Sequence, residues 1–114
     1  MNAFELSTAA AENVPIRVFV FDDQRLTMVE HGHEDVYGRR PSYPTGPLDV
    51  CAIARGLGVT AVHVERLDQF ESARAAIRDT PGPVVVSIRI DPMVRLKKQD
   101  RVAAMASHGT ARSE

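Results

Sequence analysis

Three short apolar runs decide most of what this chain can become. They are "IRVFVFDD" from Ile16, "VTAVHV" from Val59 and "PVVVSIRI" from Pro83. Each is rich in Val, Ile or Phe, the residues that suit a pleated, packed surface. In the first run apolar residues occupy both faces by its end, which predicts a strand covered on both sides, as in a parallel sheet. The stretches between the runs carry apolar residues at helical spacing. Strands alternating with helices define an α/β fold, expected here as a three-layer α/β/α sandwich with a mainly parallel sheet. Ligands on such sheets bind at the carboxyl ends of the strands. The first run ends on two adjacent acids, Asp22 and Asp23, at such a place.

The intervening helices follow from local chemistry. "AFELSTAAAE" (3–12) is Ala-rich, with Phe4, Leu6 and Ala10 as apolar points, and Asn13 and Pro15 stop it. Leu26, Met28 and Val29 open a short helical stretch, expected to dissolve into an irregular loop over "HGHEDVYGRRPSYPTGP". The segment from Pro47 to Gly56 reads as a helix. Asp49 suits its positive end, and Val50, Ile53, Ala54 and Leu57 make the buried stripe, with Gly58 as the stop. Leu67, Phe70, Ala73 and Ile77 form the stripe of a further helix. Residues 1–95 read as one domain and 96–114 as a charged, flexible tail.

The hydrophobic share of 44% and the net charge of −1 suit a globular domain rather than a partner of nucleic acid or membrane surfaces. The lone Cys51 excludes an internal disulfide. It predicts a small buried apolar residue and a cytoplasmic setting. No apolar run has the length of a membrane span.

Two carboxylates side by side concentrate negative potential. A hard cation such as Mg2+ relieves it, preferring one or two carboxylates with phosphate oxygens and water. The competing explanation is that Asp22 or Asp23 merely caps the following helix by accepting from first-turn amides. "IRVFVFDDQRL" also resembles the receiver domain of response regulators, which would make the chain a signalling or interaction module with an acidic Mg2+ pair at Asp22/Asp23. That resemblance ends there. "TAVHV" runs into Glu65 rather than a phosphorylatable Asp, and no Lys precedes Lys97.

A second resemblance spans nearly the whole chain. "MNAFELSTA", "NVPIRVFVFDD", "QRLTMV", "LDVCAIARGLGVTAVHVERLDQFESARAAI" and "GPVVVSIRID" occur in the order of the C-terminal cofactor-binding domain of thiamine-diphosphate-dependent enzymes. The likeness is to the acetolactate synthase and 2-oxo-acid decarboxylase type. It implies thiamine diphosphate and Mg2+ as cofactors, and lyase or transferase chemistry on 2-oxo acids. It implies Asp23 as a side-chain oxygen ligand of the metal and Arg25 as a backbone-carbonyl ligand. Leu26 and Thr27 would lie near the diphosphate, and Met28 and Val29 would border the substrate region. The family's Gly-Asp-Gly triplet would fall before Met1, as would the strand leading to it, and the pyrimidine-binding domain is missing too. The acid pair replaces Asn-Asn, and Gly32 stands where acetolactate synthases commonly carry Trp. Glu30 is one residue off the place of a catalytic Glu in some decarboxylases, so that role is not carried over. The expectation is an incomplete cofactor-binding domain with no catalytic residue of its own. It would self-associate or take a partner chain that supplies the pyrimidine-binding domain.

Other polar clusters read more simply as solvated or structural. These are His31, His33 and Glu34 as metal ligands, Arg39 and Arg40 as an anion clamp, and His63 in mid-strand. Ser7, Ser42 and Ser87 have no base partner visible in sequence, so no nucleophilic triad is expected.

Overall fold

The structure is a computed structural model that describes residues 3–95. The segment expected as a flexible tail, 96–114, lies outside the described residues. Three strands form one parallel sheet: β1 (Arg17–Asp22), β2 (Thr60–Val64) and β3 (Val84–Arg89), in the order β1-β3-β2. Four helices accompany them: α1 (Glu5–Ala11), α2 (Thr27–Tyr37), α3 (Val50–Gly56) and α4 (Phe70–Asp79). The α/β expectation is met as a small open sheet with helices on both faces.

The central strand explains the core. Every residue of β3 from Val84 to Ser87 is buried, since neighbours flank it on both edges and helices lie on both faces. On one face, Leu6 and Ala10 of α1 and Cys51 and Ala54 of α3 pack over Val18, Val20, Ala61 and Val85. On the other, Ala73 and Ile77 of α4 pack over Val62, Val64, Val84, Val86 and Ile88. Cys51 is buried as expected, and its low-dielectric surroundings push the thiol pKa up.

Four expectations need correction. β1 is not covered on both sides. Phe19 and Phe21 stay 50% and 67% exposed, because α4 lies over β2 and β3 and does not reach the outer strand. The helix after the acids is not short. α2 continues through "HGHEDVY" and ends only where Gly38 takes a left-handed conformation with φ 69°. In α3 the helix begins at Val50 with Asp49 as its cap, so Pro47 precedes the first turn. Its buried stripe runs through Cys51 and Ala54, while Ile53 is exposed. Leu67 belongs to a single 3-10 turn, Leu67–Gln69, and is exposed.

One side chain ties the sheet to the turn that feeds it. From the start of β1, Arg17 donates to the carbonyls of Ile77 (3.0 Å), Gly82 (2.7 Å) and Thr80 (2.8 Å), and to its neighbour Ile16 (3.2 Å). These carbonyls end α4 and line the Pro-Gly-Pro turn, where helix and turn geometry leave acceptors unclaimed. Hydrogen bonds from a charged donor are stronger than neutral ones. Arg17→Met should therefore lower the unfolding free energy by about 2 kcal/mol in denaturant titration. A loss within about 0.5 kcal/mol, as for an ordinary surface substitution, would show the clamp to be dispensable.

Candidate functional site

The acids at the carboxyl end of β1 close two successive turns. Asp22 Oδ1 accepts from the Gln24 amide at 2.8 Å, and Asp23 Oδ1 accepts from the Arg25 amide at 3.0 Å. Gln24 sits at φ 56°, a left-handed conformation that the turn requires. The two side chains then part company. Asp22 faces Arg89 at the end of β3, its partner in the strand register, with Arg89 Nη1 at 3.9 Å from Asp22 Oδ2. Neither acid is the cap of α2. Leu26 holds the cap position, and among the described residues no side chain accepts from the first-turn amides.

The start of α2 is therefore without a side-chain cap among the described residues. The amides of Thr27 and Met28 find no acceptor among the described residues. The Thr27 hydroxyl is buried and also unpaired among the described residues. A helix N-terminus with open amides carries partial positive charge and accommodates an anion. A buried hydroxyl without a partner costs free energy that a ligand oxygen would recover.

The segment 23–28 is held by a hub that the sequence did not announce. Glu30, in the first turn of α2, is 0% exposed. Its Oε1 accepts from the Tyr43 amide at 2.7 Å and from Arg25 Nε at 3.1 Å, with Arg25 Nη2 at 3.0 Å. Its Oε2 accepts from Arg40 Nε at 3.2 Å, with Arg40 Nη2 also at 3.2 Å. The Tyr43 amide first, then the Arg25 guanidinium, hold the Glu30 carboxyl down from 4.5 to about 2, against the opposing effect of burial. Backbone pairing completes the clasp. Leu26 N donates to Tyr43 O at 2.9 Å and Thr45 N to Gln24 O at 3.0 Å, around an antiparallel bridge between Arg25 and Pro44.

The structure thus brings Asp23, Arg25, Leu26, Thr27 and Met28 into one continuous turn and helix start. Leu26 and Met28 point largely to solvent, at 52% and 84% exposed. Of the other candidates, His31 keeps its Nε2 buried without a hydrogen-bond partner among the described residues, while others make structural contacts. His33 Nδ1 lies 3.1 Å from Arg39 O, Glu34 pairs with Arg95, and Arg40 is taken by Glu30 and the Pro92 carbonyl. His63 lies 3.8 Å from Glu65. Among the described residues no group of three His, Cys, Asp or Glu side chains could hold a metal alone. No helix among them is long and apolar enough to cross a membrane.

A parallel α/β sheet with its acidic turn at the carboxyl end of a strand defines an open α/β domain of the kind whose ligands lie at that end of the sheet. Sequence comparison narrows the class. The profile of the thiamine pyrophosphate enzyme C-terminal TPP binding domain matches residues 1–88, and the chain belongs to this family. It is 30% identical over 95 residues to the acetolactate synthase isozyme 2 large subunit of Escherichia coli (strain K12), covering 82% of this chain and 17% of that protein. It is 32% identical over 97 residues to acetolactate synthase 1, chloroplastic, of Zea mays, covering 77% of this chain and 15% of that protein. The acetolactate synthase large subunit of Pyropia yezoensis is 27% identical over 93 residues. The chain spans less than a fifth of the length of these relatives. Nothing supports the receiver-like alternative. β2 ends at Val64, and no third acid joins Asp22 and Asp23 in a metal-competent cluster among the described residues.

Proposed function

We propose that residues 23–28 form the diphosphate and metal end of a thiamine-diphosphate site in an acetolactate synthase-like decarboxylase or carboligase acting on 2-oxo acids. The observation that carries this is the uncapped start of α2, with open amides at Thr27 and Met28 and the buried, unpaired Thr27 hydroxyl. These donors suit diphosphate oxygens. For the metal the fit is partial. Asp23 has a second carboxylate oxygen beyond the one in its turn, and no backbone amide among the described residues donates to the Arg25 carbonyl. Two oxygens are a minority of an octahedral Mg2+ shell, and diphosphate, water and groups from elsewhere would supply the rest.

Bound thiamine diphosphate would supply the carbanion chemistry of the thiazolium. The work of this chain is to bind and orient. Asp23 and the Arg25 carbonyl hold the cation, Thr27 and the adjacent amides hold phosphate oxygens, and Glu30 fixes the turn through Arg25. Catalytic groups come from a partner chain or domain that contributes the pyrimidine-binding side. The bare edge and exposed phenylalanines of β1 support such a partner. The lone chain should bind thiamine diphosphate with Mg2+ at about millimolar strength or weaker in calorimetric titration. Micromolar binding would refute the view that it holds only part of the site.

A further inference from the structure

Two side-chain atoms are buried without a hydrogen-bond partner among the described residues, and both belong to α2. They are the Thr27 hydroxyl oxygen and Nε2 of His31. Four positions separate them, so the two side chains are neighbours on one face of the helix. That face is the one turned toward the protein, and it is polar. Thr27 and Glu30 are buried, and His31 and Glu34 are half-buried. The apolar residues of the helix, Met28, Val29 and Val36, are exposed instead.

A helix normally turns its apolar residues inward, so an inward polar stripe needs partners. Two of the four groups have them. Glu30 accepts from Arg25, Arg40 and the Tyr43 amide, and Glu34 pairs with Arg95. Thr27 and His31 do not, and each unpaired buried atom costs free energy. Two such atoms a turn apart point to one missing partner.

The lean of the side chains says where that partner lies. Helical side chains tilt toward the N-terminus, so the His31 ring covers the turn that begins at Thr27. The amides of Thr27 and Met28 are open at that turn. Thr27 itself is only 8% exposed, so its hydroxyl has no bulk water to turn to. The buried carboxylate on this face, Glu30, is matched by two guanidinium groups and does not oppose an anion. We propose that His31 is a further ligand contact of this site, with Nε2–H donating to a phosphate oxygen that the Thr27 hydroxyl and the helix-start amides also face. This rests on the reading of residues 23–28 as the diphosphate end, and it extends that end by one turn of α2. A phosphate oxygen only accepts, so Nε2 carries the proton in the bound form.

The test follows the His31 ring nitrogens of the full 114-residue chain by NMR during titration with thiamine diphosphate and Mg2+ to about 50 mM. Thiamine with Mg2+ is the phosphate-free control, and the rings of His33 and His63 are internal references. The His31 Nε2 resonance is expected to move toward that of a protonated nitrogen, together with the amides of Thr27 and Met28, and thiamine should leave all three in place. His31→Leu should weaken binding about fivefold. It should not lower the stability of the unliganded chain, because it removes a buried atom that has no partner. His31→Gln keeps a donor and should restore most of the affinity. The ring measurement needs no variant, and it decides alone if His31→Leu does not fold. Amides that move while the His31 ring stays still, unchanged binding in His31→Leu, or a less stable unliganded His31→Leu would overturn the contact and leave the diphosphate segment standing. Silence at both the amides and the ring would overturn the diphosphate reading and this contact with it.

Discussion

Glu30→Ala is expected to release the loop between α2 and α3 while leaving the sheet folded. The substitution removes the one group that binds Arg25, Arg40 and the Tyr43 amide together. It leaves two guanidinium groups and a part-buried amide without their shared acceptor, which is the costly way to break such a cluster. Amide exchange at Leu26 and Thr45, which now donate across the Arg25–Pro44 bridge, should rise to the rate of unstructured chain. Exchange within β3 should stay slow, because its burial does not involve this loop. Glu30→Gln adds a pH signature. The folded carboxyl titrates at about 2 rather than 4.5. A lowered folded pKa means that ionised Glu30 stabilises the fold fully above 4.5, and that this contribution is lost as pH falls toward 2. Denaturant titrations across that window should show the wild type losing stability relative to Glu30→Gln. Parallel curves, or unchanged exchange in Glu30→Ala, would remove Glu30 from its central place.

The sheet was legible in the sequence because each strand carries its own signal. β-branched runs such as "PVVVSIRI" and the intervening helical periods specify a parallel α/β layer without tertiary information. Asp49 and Gly58 marked the ends of α3 for equally local reasons. What escaped depends on distant partners. The pattern of β1 suggested cover on both faces, but whether Phe19 and Phe21 are covered depends on how far α4 reaches. α2 outlasts its Gly- and His-rich composition because Glu30 anchors its first turn and Gly38 supplies the stop. The Glu30 hub joins residues 25, 30, 40 and 43, which follow no helical or strand spacing, so periodicity could not find it. The Arg17 clamp spans more than sixty positions and is equally invisible. For the acid pair, sequence left capping and metal binding both open. The structure removes the helix cap and separates the two side chains, one toward Arg89, the other at the turn into α2.

The assignment of Asp23 and the start of α2 to the cofactor is tested most directly with a paramagnetic ion. Mn2+ substitutes for Mg2+ in oxygen-ligand sites, and it broadens amide resonances near where it binds. Trace Mn2+ with excess thiamine diphosphate, added to the full chain, is expected to broaden the amides of residues 23–28 selectively. Asp23→Ala should abolish that localised effect, while the folded spectrum of β2 and β3 stays unchanged. Broadening spread evenly over the acidic surface, or centred on Glu34 and Asp35, or indifferent to Asp23→Ala, would contradict the assignment.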